Sequence, residues 1–219
     1  MLTEPEEAGV QAIQILFMGP EWAAVVKPAG IESEKELPGR LSSQEGGDFF
    51  PIHRLDLTVG GVMILARTRE AAAGFSRMIQ EGLFQKEYVA LCHGTLPEEG
   101  EMRDLLWKDA ARNKVYVVQR KRGGVREAVL TYRVLRPAEG PEGLNLVRIR
   151  LGTGRTHQIR VQFSSRGCPL AGDHKYGARD DLKNPRLCSC AVSFPWHGKD
   201  YRFEFLPPWA GGPPAEEEE

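Results

Sequence analysis

Short apolar runs broken by Gly, Pro and charged residues dominate this chain, and only two stretches carry helical spacing. Gln14 to Met18 and Ala23 to Lys27 read as strands on either side of a Gly19-Pro20 turn, the second ended by Pro28-Ala29-Gly30. Val62-Met63-Ile64-Leu65-Ala66 is continuously apolar, as in a strand buried on both faces. Thr68 suits the N-cap of a helix from Arg69 to Glu81. Ala71, Ala72, Phe75, Met78 and Ile79 recur there at helical spacing, and Gly82 is the stop. Lys86 to Cys92 reads as a strand closed by His93-Gly94. Further strands are expected at Val115 to Gln119, Ala128 to Leu135 and Leu144 to Leu151, with Gly123-Gly124 and Gly140-Pro141-Glu142-Gly143 as punctuation. A second helix is expected to begin after Thr156 and end at Gly167-Cys168-Pro169. Two last strands, near Leu187 to Phe194 and Tyr201 to Phe205, precede a Pro/Gly-rich end. Glu32 to Asp48 is polar and aperiodic and reads as a mobile loop. Strands outnumber helices and often follow one another as hairpins, so the expected class is α+β, a mixed, mainly antiparallel sheet with flanking helices. No linker divides the chain, which reads as one domain over 13–208 between a flexible N-terminus (1–12) and an acidic Pro/Gly-rich tail (209–219).

With 219 residues, 41% hydrophobic and 27% charged, the chain has the composition of an ordinary globular protein able to bury a core. No uninterrupted apolar run approaches the roughly 20 residues needed to cross a bilayer. The acidic start, Met1-Leu2-Thr3-Glu4-Pro5-Glu6-Glu7, lacks the basic opening of a secretory signal, so cytoplasmic residence without membrane contact is expected; a monomer is expected as well. Cys92, Cys168, Cys188 and Cys190 do not form a disulfide framework. Cys188-Ser189-Cys190 has no second close Cys or His pair to complete a metal site, so reduced thiols and no metal are expected. The net charge of −1 hides an asymmetry: ten Lys or Arg against three acids lie between Arg103 and Arg136, a local charge of +7 that includes Lys121 and Arg122. Such a stripe neutralises phosphates whatever the total charge, although a solvated basic hairpin has the same pattern.

Candidate chemistry begins with His53-Arg54-Leu55-Asp56-Leu57-Thr58-Val59-Gly60-Gly61. An acid beside a base, leading through a glycine pair into a buried strand, is placed to be held at a cleft, and it also fits a surface turn with a weak Arg–Asp pair. Leu55 separates Arg from Asp and no Gly-rich phosphate loop precedes a strand lysine, which excludes a kinase catalytic loop. In Gly154-Arg155-Thr156-His157-Gln158-Ile159-Arg160, Thr156 as cap puts His157 and Arg160 one turn apart on one helix face. Cations there make an anion site with the free backbone N–H groups, or simply a basic polar face. Tyr88 sits mid-strand, where a tyrosine either packs or, at a cleft, stacks on a base.

The order HRLD, KEYVALCHG, GTGRTHQIRV, AGDHKYG, with Val26-Lys27-Pro28-Ala29-Gly30 before it and Leu187 to Phe194 after it, resembles the RluA-type family of pseudouridine synthases. The resemblance runs from about Ile15 to Phe205 and implies a mixed sheet in two halves flanking a catalytic cleft, with RNA as partner and no cofactor. It implies that Asp56 is the catalytic aspartate, that Tyr88 stacks on the target uracil and that Arg160 pairs with Asp56. By the same resemblance Arg54 fills the stack vacated by the flipped uridine, while Arg155, His157, Lys121 and Arg122 are candidate RNA contacts. Thr58-Val59-Gly60-Gly61 departs from the usual Thr-Ser-Gly, and too few residues precede the first strand for the N-terminal RNA-binding module of many relatives. The chemistry suits these residue types. Moving uracil from nitrogen to carbon attachment needs no redox change, a carboxylate serves as nucleophile or base, and a buried carboxylate needs a fixed cation such as Arg. A catalytically silent RNA-binding protein is the main rival reading. A glycosidase with paired carboxylates is weaker, because Asp56 has no acidic partner in these motifs.

Overall fold

The computed structural model describes residues 12–138 and 143–212. The segments read as the N-terminus and tail therefore lie largely outside the described residues, as does the centre of the Gly140–Gly143 turn. The described chain forms β1 (Gln14–Met18), β2 (Trp22–Lys27), α1 (Glu36–Glu45), β3 (Phe50–Pro51), β4 (Gly60–Ala66), α2 (Arg69–Gln80) and β5 (Gln85–Cys92). There follow β6 (Glu99–Asp109), β7 (Lys114–Val118), β8 (Val125–Arg136), β9 (Asn145–Leu151), α3 (Gln158–Ser164), β10 (Leu187–Trp196) and β11 (Lys199–Glu204).

One sheet takes all the strands, in the order β1-β2-β4-β10-β5-β9-β8-β6-β7, with β3 on β4 and β11 on β10. Every pairing is antiparallel except β4 with β10, which makes the sheet mixed and mainly antiparallel as expected. β10 joins two half-sheets. The β4 run is buried on both faces: Met63 and Leu65 enter the core that also holds Leu37, Leu41, Ile159 and Phe163 of α1 and α3. Val62, Ile64 and Ala66 meet Phe75 of α2 and the aromatic cluster of Trp22, Phe84 and Phe194. Thr68 caps α2 as expected, accepting from the Ala71 N–H at 3.1 Å.

Two expectations need correction, and one strand was not foreseen. Glu32 to Asp48 is not a mobile loop but carries α1, whose Leu37 and Leu41, one turn apart, are fully buried. Pro38, Gly39 and two serines hide that period, yet Pro38 lies in the first turn, where a missing N–H breaks no helical bond. The Glu32 carboxylate accepts from Lys35 N–H at 2.6 Å, and Glu36 accepts from Glu32 N–H at 3.1 Å, a reciprocal cap. Strand β6 was not legible because its inward positions alternate apolar Met102 and Leu106 with Asp104, which is satisfied by Gln162 and Arg166. Thr156 does not cap α3. His157 is the cap residue, in the left-handed region at φ 50°, and the helix is only seven residues long.

All four cysteines are buried and free, their thiols pushed up by burial. Trp209, inside the segment read as tail, still packs beside Cys188 and Cys190. No helix among the described residues is long and apolar enough to cross a membrane.

Candidate active site

Asp56 lies in the loop entering β4, and backbone groups on both sides of it are pinned. Ser33 Oγ donates to Leu55 O at 2.9 Å and accepts from Leu55 N–H at 3.1 Å. Leu57 O accepts from Gly30 N–H at 2.7 Å. Lys27, fully buried, turns its ammonium onto Pro28 O and Ile31 O at 2.9 and 2.7 Å, with Leu57 O at 3.5 Å. Burial lowers its pKa to about 8, against the pull of Asp56, Glu36 and Glu32. The stretch Val26 to Gly30 thus acts as a clamp on the Asp56 loop.

Arg160, near the start of α3, reaches Asp56 with Nη1 at 3.1 Å. Its Nε and Nη2 form a bidentate pair with Asp173 at 2.7 and 2.8 Å, and Asp173 is 1% exposed. The Tyr176 ring lies under the guanidinium, 5.1 Å from its centre. Both partners come from the Gly172 to Gly177 turn, so one short motif sets the direction of Arg160. Tyr176 Oη accepts from Val115 N–H and lies 2.9 Å from His157 Nδ1, a hydrogen bond whose direction the imidazole tautomer sets. His157 Nε2 is 3.7 Å from Asp56, beyond hydrogen-bond reach. Burial, reinforced by Arg160 and Lys175 and opposed by Asp56, lowers the His157 pKa to about 4, so the ring is neutral at pH 7. Arg160 is thus the cation that bonds to Asp56, with His157 beside the pair.

Across a cleft of about 280 Å³, Tyr88 on β5 faces this cluster. Burial, then the Asp56 charge, pushes its hydroxyl upward, so it stays protonated. Arg54 and Arg155 lie at the rim and are exposed: Arg54 is 3.4 Å from Glu34, and Arg155 Nε donates to Glu127 O at 2.9 Å. Lys121 and Arg122 lie outside the cleft lining, on the β7–β8 connection, where Arg122 stacks over Trp107 at 5.0 Å. The basic stripe is partly neutralised, because Arg103 pairs with Glu101 and Glu127 and Arg133 pairs with Glu99. Two of those acids lie just outside the counted stretch.

Sequence reasoning thus brought Asp56, Tyr88 and Arg160 together and missed Lys27, Ser33, Asp173 and Tyr176 as their supports. AGDHKYG was visible as a motif, but its pairing with Arg160 across 13 residues and a turn had no local signal. His53 also lines the cleft, but its ring is held from within. Its Nε2 accepts from Ile64 N–H at 3.2 Å, and burial, with Lys86 nearby, lowers its pKa to about 3.

Residues 21–165 match the RNA pseudouridylate synthase family. An RNA pseudouridine synthase of Aquifex aeolicus is 33% identical over 207 residues, 85% of this chain and 64% of its own length. Ribosomal large subunit pseudouridine synthase D of Zymomonas mobilis is 34% identical over 86% of this chain and 62% of its own. The tRNA pseudouridine synthase C of Haemophilus ducreyi is 30% identical over 80% and 77%. The chain thus spans somewhat under two thirds of the length of the first two. The fold matches human RNA pseudouridylate synthase domain containing 1, with a TM-score of 0.80 at 21% identity over 93% of this chain and 86% of that one. On the strength of the matched residues and these relatives, the chain belongs to the RNA pseudouridylate synthase family.

Proposed function

We propose that the protein converts uridine in structured RNA, ribosomal or transfer, to pseudouridine, with Asp56 as the catalytic carboxylate. The observation that carries this is the Asp56–Arg160–Asp173 chain at the wall of a cleft faced by Tyr88. In the reaction the C1′–N1 bond breaks and a C1′–C5 bond forms, C5 loses a proton and N1 gains one, so the product is an isomer. Asp56 attacks the ribose or uracil, or takes a ribose proton, and the Arg160 guanidinium supplies the fixed cation that a carboxylate in a partly dry site needs. Flipping the uridine costs a few kcal/mol. Stacking on Tyr88 returns about 1–3 kcal/mol of this, and Arg54 fills the gap left in the RNA. RNA is held at the rim by Arg155 and farther out by Lys121 and Arg122, with His157 beside Asp56 at the cleft wall. A cytoplasmic monomer acting without a cofactor belongs to the same reading.

Asp56→Asn is expected to abolish pseudouridine formation while RNA affinity stays within a few-fold. Turnover assays on unmodified ribosomal and transfer RNA transcripts, with filter-binding affinities beside them, measure both. Pseudouridine at near wild-type rate in that variant would falsify the assignment. If instead the wild-type protein binds RNA and forms none, the fold serves binding alone.

A further inference from the structure

Lys86 is the one cleft residue whose charge the site as described leaves unused. It lies two residues before Tyr88 on the same face of β5, roughly 7 Å away along the strand. Both line the cleft. Its ammonium has no hydrogen bond or ion pair among the described residues, and it lines the cleft. A side chain at Gly154 would stand 3.1 Å from Lys86 Nζ, which places the ammonium against the loop that leads to Arg160. The same cleft is lined by Ile52, Ile79 and Leu187, and neutral His53 lies close enough to feel the Lys86 charge. The carboxylate of the same cleft, Asp56, is already engaged by Arg160. Burial lowers the Lys86 pKa with no nearby acid to offset it. An unpaired cation in such surroundings is unfavourable until a ligand brings negative charge to it.

We propose that the Lys86 ammonium binds a carbonyl oxygen of the flipped uracil and stabilises the charge that the base gains as it leaves the ribose. This rests on the function proposed above. When the C1′–N1 bond breaks, its electron pair passes to uracil and spreads from N1 onto the adjacent O2 and, through the C5–C6 double bond, onto O4. C1′ then bonds to C5, the C5 proton is lost and N1 takes one up, while Lys86 keeps its own proton throughout. A base lying on the Tyr88 ring points an edge along the strand toward Lys86. A fixed donor at the site of developing charge acts without reorganisation. A phosphodiester oxygen would also satisfy the cation, but the apolar walls suit a flat base better than a hydrated phosphate.

The test uses the full chain and unmodified ribosomal and transfer RNA transcripts. Lys86→Met keeps length and removes charge. At saturating RNA its rate is expected to fall roughly 10²-fold, as when one donor to a developing oxyanion is lost. RNA affinity and its salt slope should stay unchanged. Lys86→Ala is expected to regain turnover with added propylamine, a response that a merely structural lysine would not give. A Lys86→Met enzyme with wild-type rate overturns the inference. So does a loss confined to affinity with a salt slope reduced by about one, which would put the ammonium on a phosphate. Wild-type protein that forms no pseudouridine overturns the proposed function, and this inference with it. Thermal melting of each variant separates either result from misfolding.

Discussion

Arg160 serves two carboxylates, and the division of its donors between them matters more than the presence of either pair. Asp173 takes Nε and Nη2 in the bidentate geometry that a guanidinium fork favours, leaving Nη1 for Asp56. Asp173 is almost wholly buried, whereas the Asp56 side chain keeps 21% exposure. The first pair is therefore a fixed mount and the second faces the cleft. Asp173→Asn keeps the shape but removes a charge and an acceptor. It is expected to destabilise the protein by about 3 kcal/mol, the scale for breaking a buried ion pair, measured by denaturant unfolding. Turnover should fall further than RNA affinity, because Arg160 is then free to swing from Asp56. At this scale the sequence held the identities of Asp56, Tyr88 and Arg160 in motif order. Asp173 and Lys86 went unassigned because their roles depend on what faces them across the cleft.

At the scale of elements, the parallel contact of β4 with β10 is the join on which the site depends. Gly61 sits there at φ +118°, and a Cβ would collide with the backbone of Ser189. This gives Thr58-Val59-Gly60-Gly61 a physical reason: the second glycine lets β10 lie against the strand that carries the Asp56 loop. Gly61→Ala is expected to cost more than about 1 kcal/mol, since both the dihedral and the space are wrong for a side chain. A thermal melt would show the loss, and an unchanged midpoint would mean that the join tolerates movement. Strand and helix signals were legible where one face is apolar throughout, as in β4 and α2. They failed in α1 and β6, where Pro, Gly and a paired aspartate interrupt the period while tertiary contacts meet their needs.

For the whole molecule, two half-sheets meet at β10 and the cleft opens beside that join, with Asp56 entering from one half and Tyr88 from the other. Lys121 and Arg122, which form no ion pair among the described residues, lie on the β7–β8 connection. Charge reversal at both is expected to weaken RNA binding and flatten its salt dependence by about one to two units of log–log slope, read from binding titrations over a range of salt. An unchanged slope would remove this surface from the RNA path. By itself the sequence determined the α+β class, most strand positions and the three motif residues at the centre of the site. The class and the strands follow from local period and turn chemistry, which are properties of neighbouring residues, whereas the three site residues follow from the family resemblance that the order of the motifs carries. Only the tertiary structure decided that Asp173 mounts Arg160, that Lys27 clamps the Asp56 loop and that His157 is a neutral neighbour. Each of these depends on burial and on groups distant in sequence, and desolvation and ion pairing act between the groups that folding brings together.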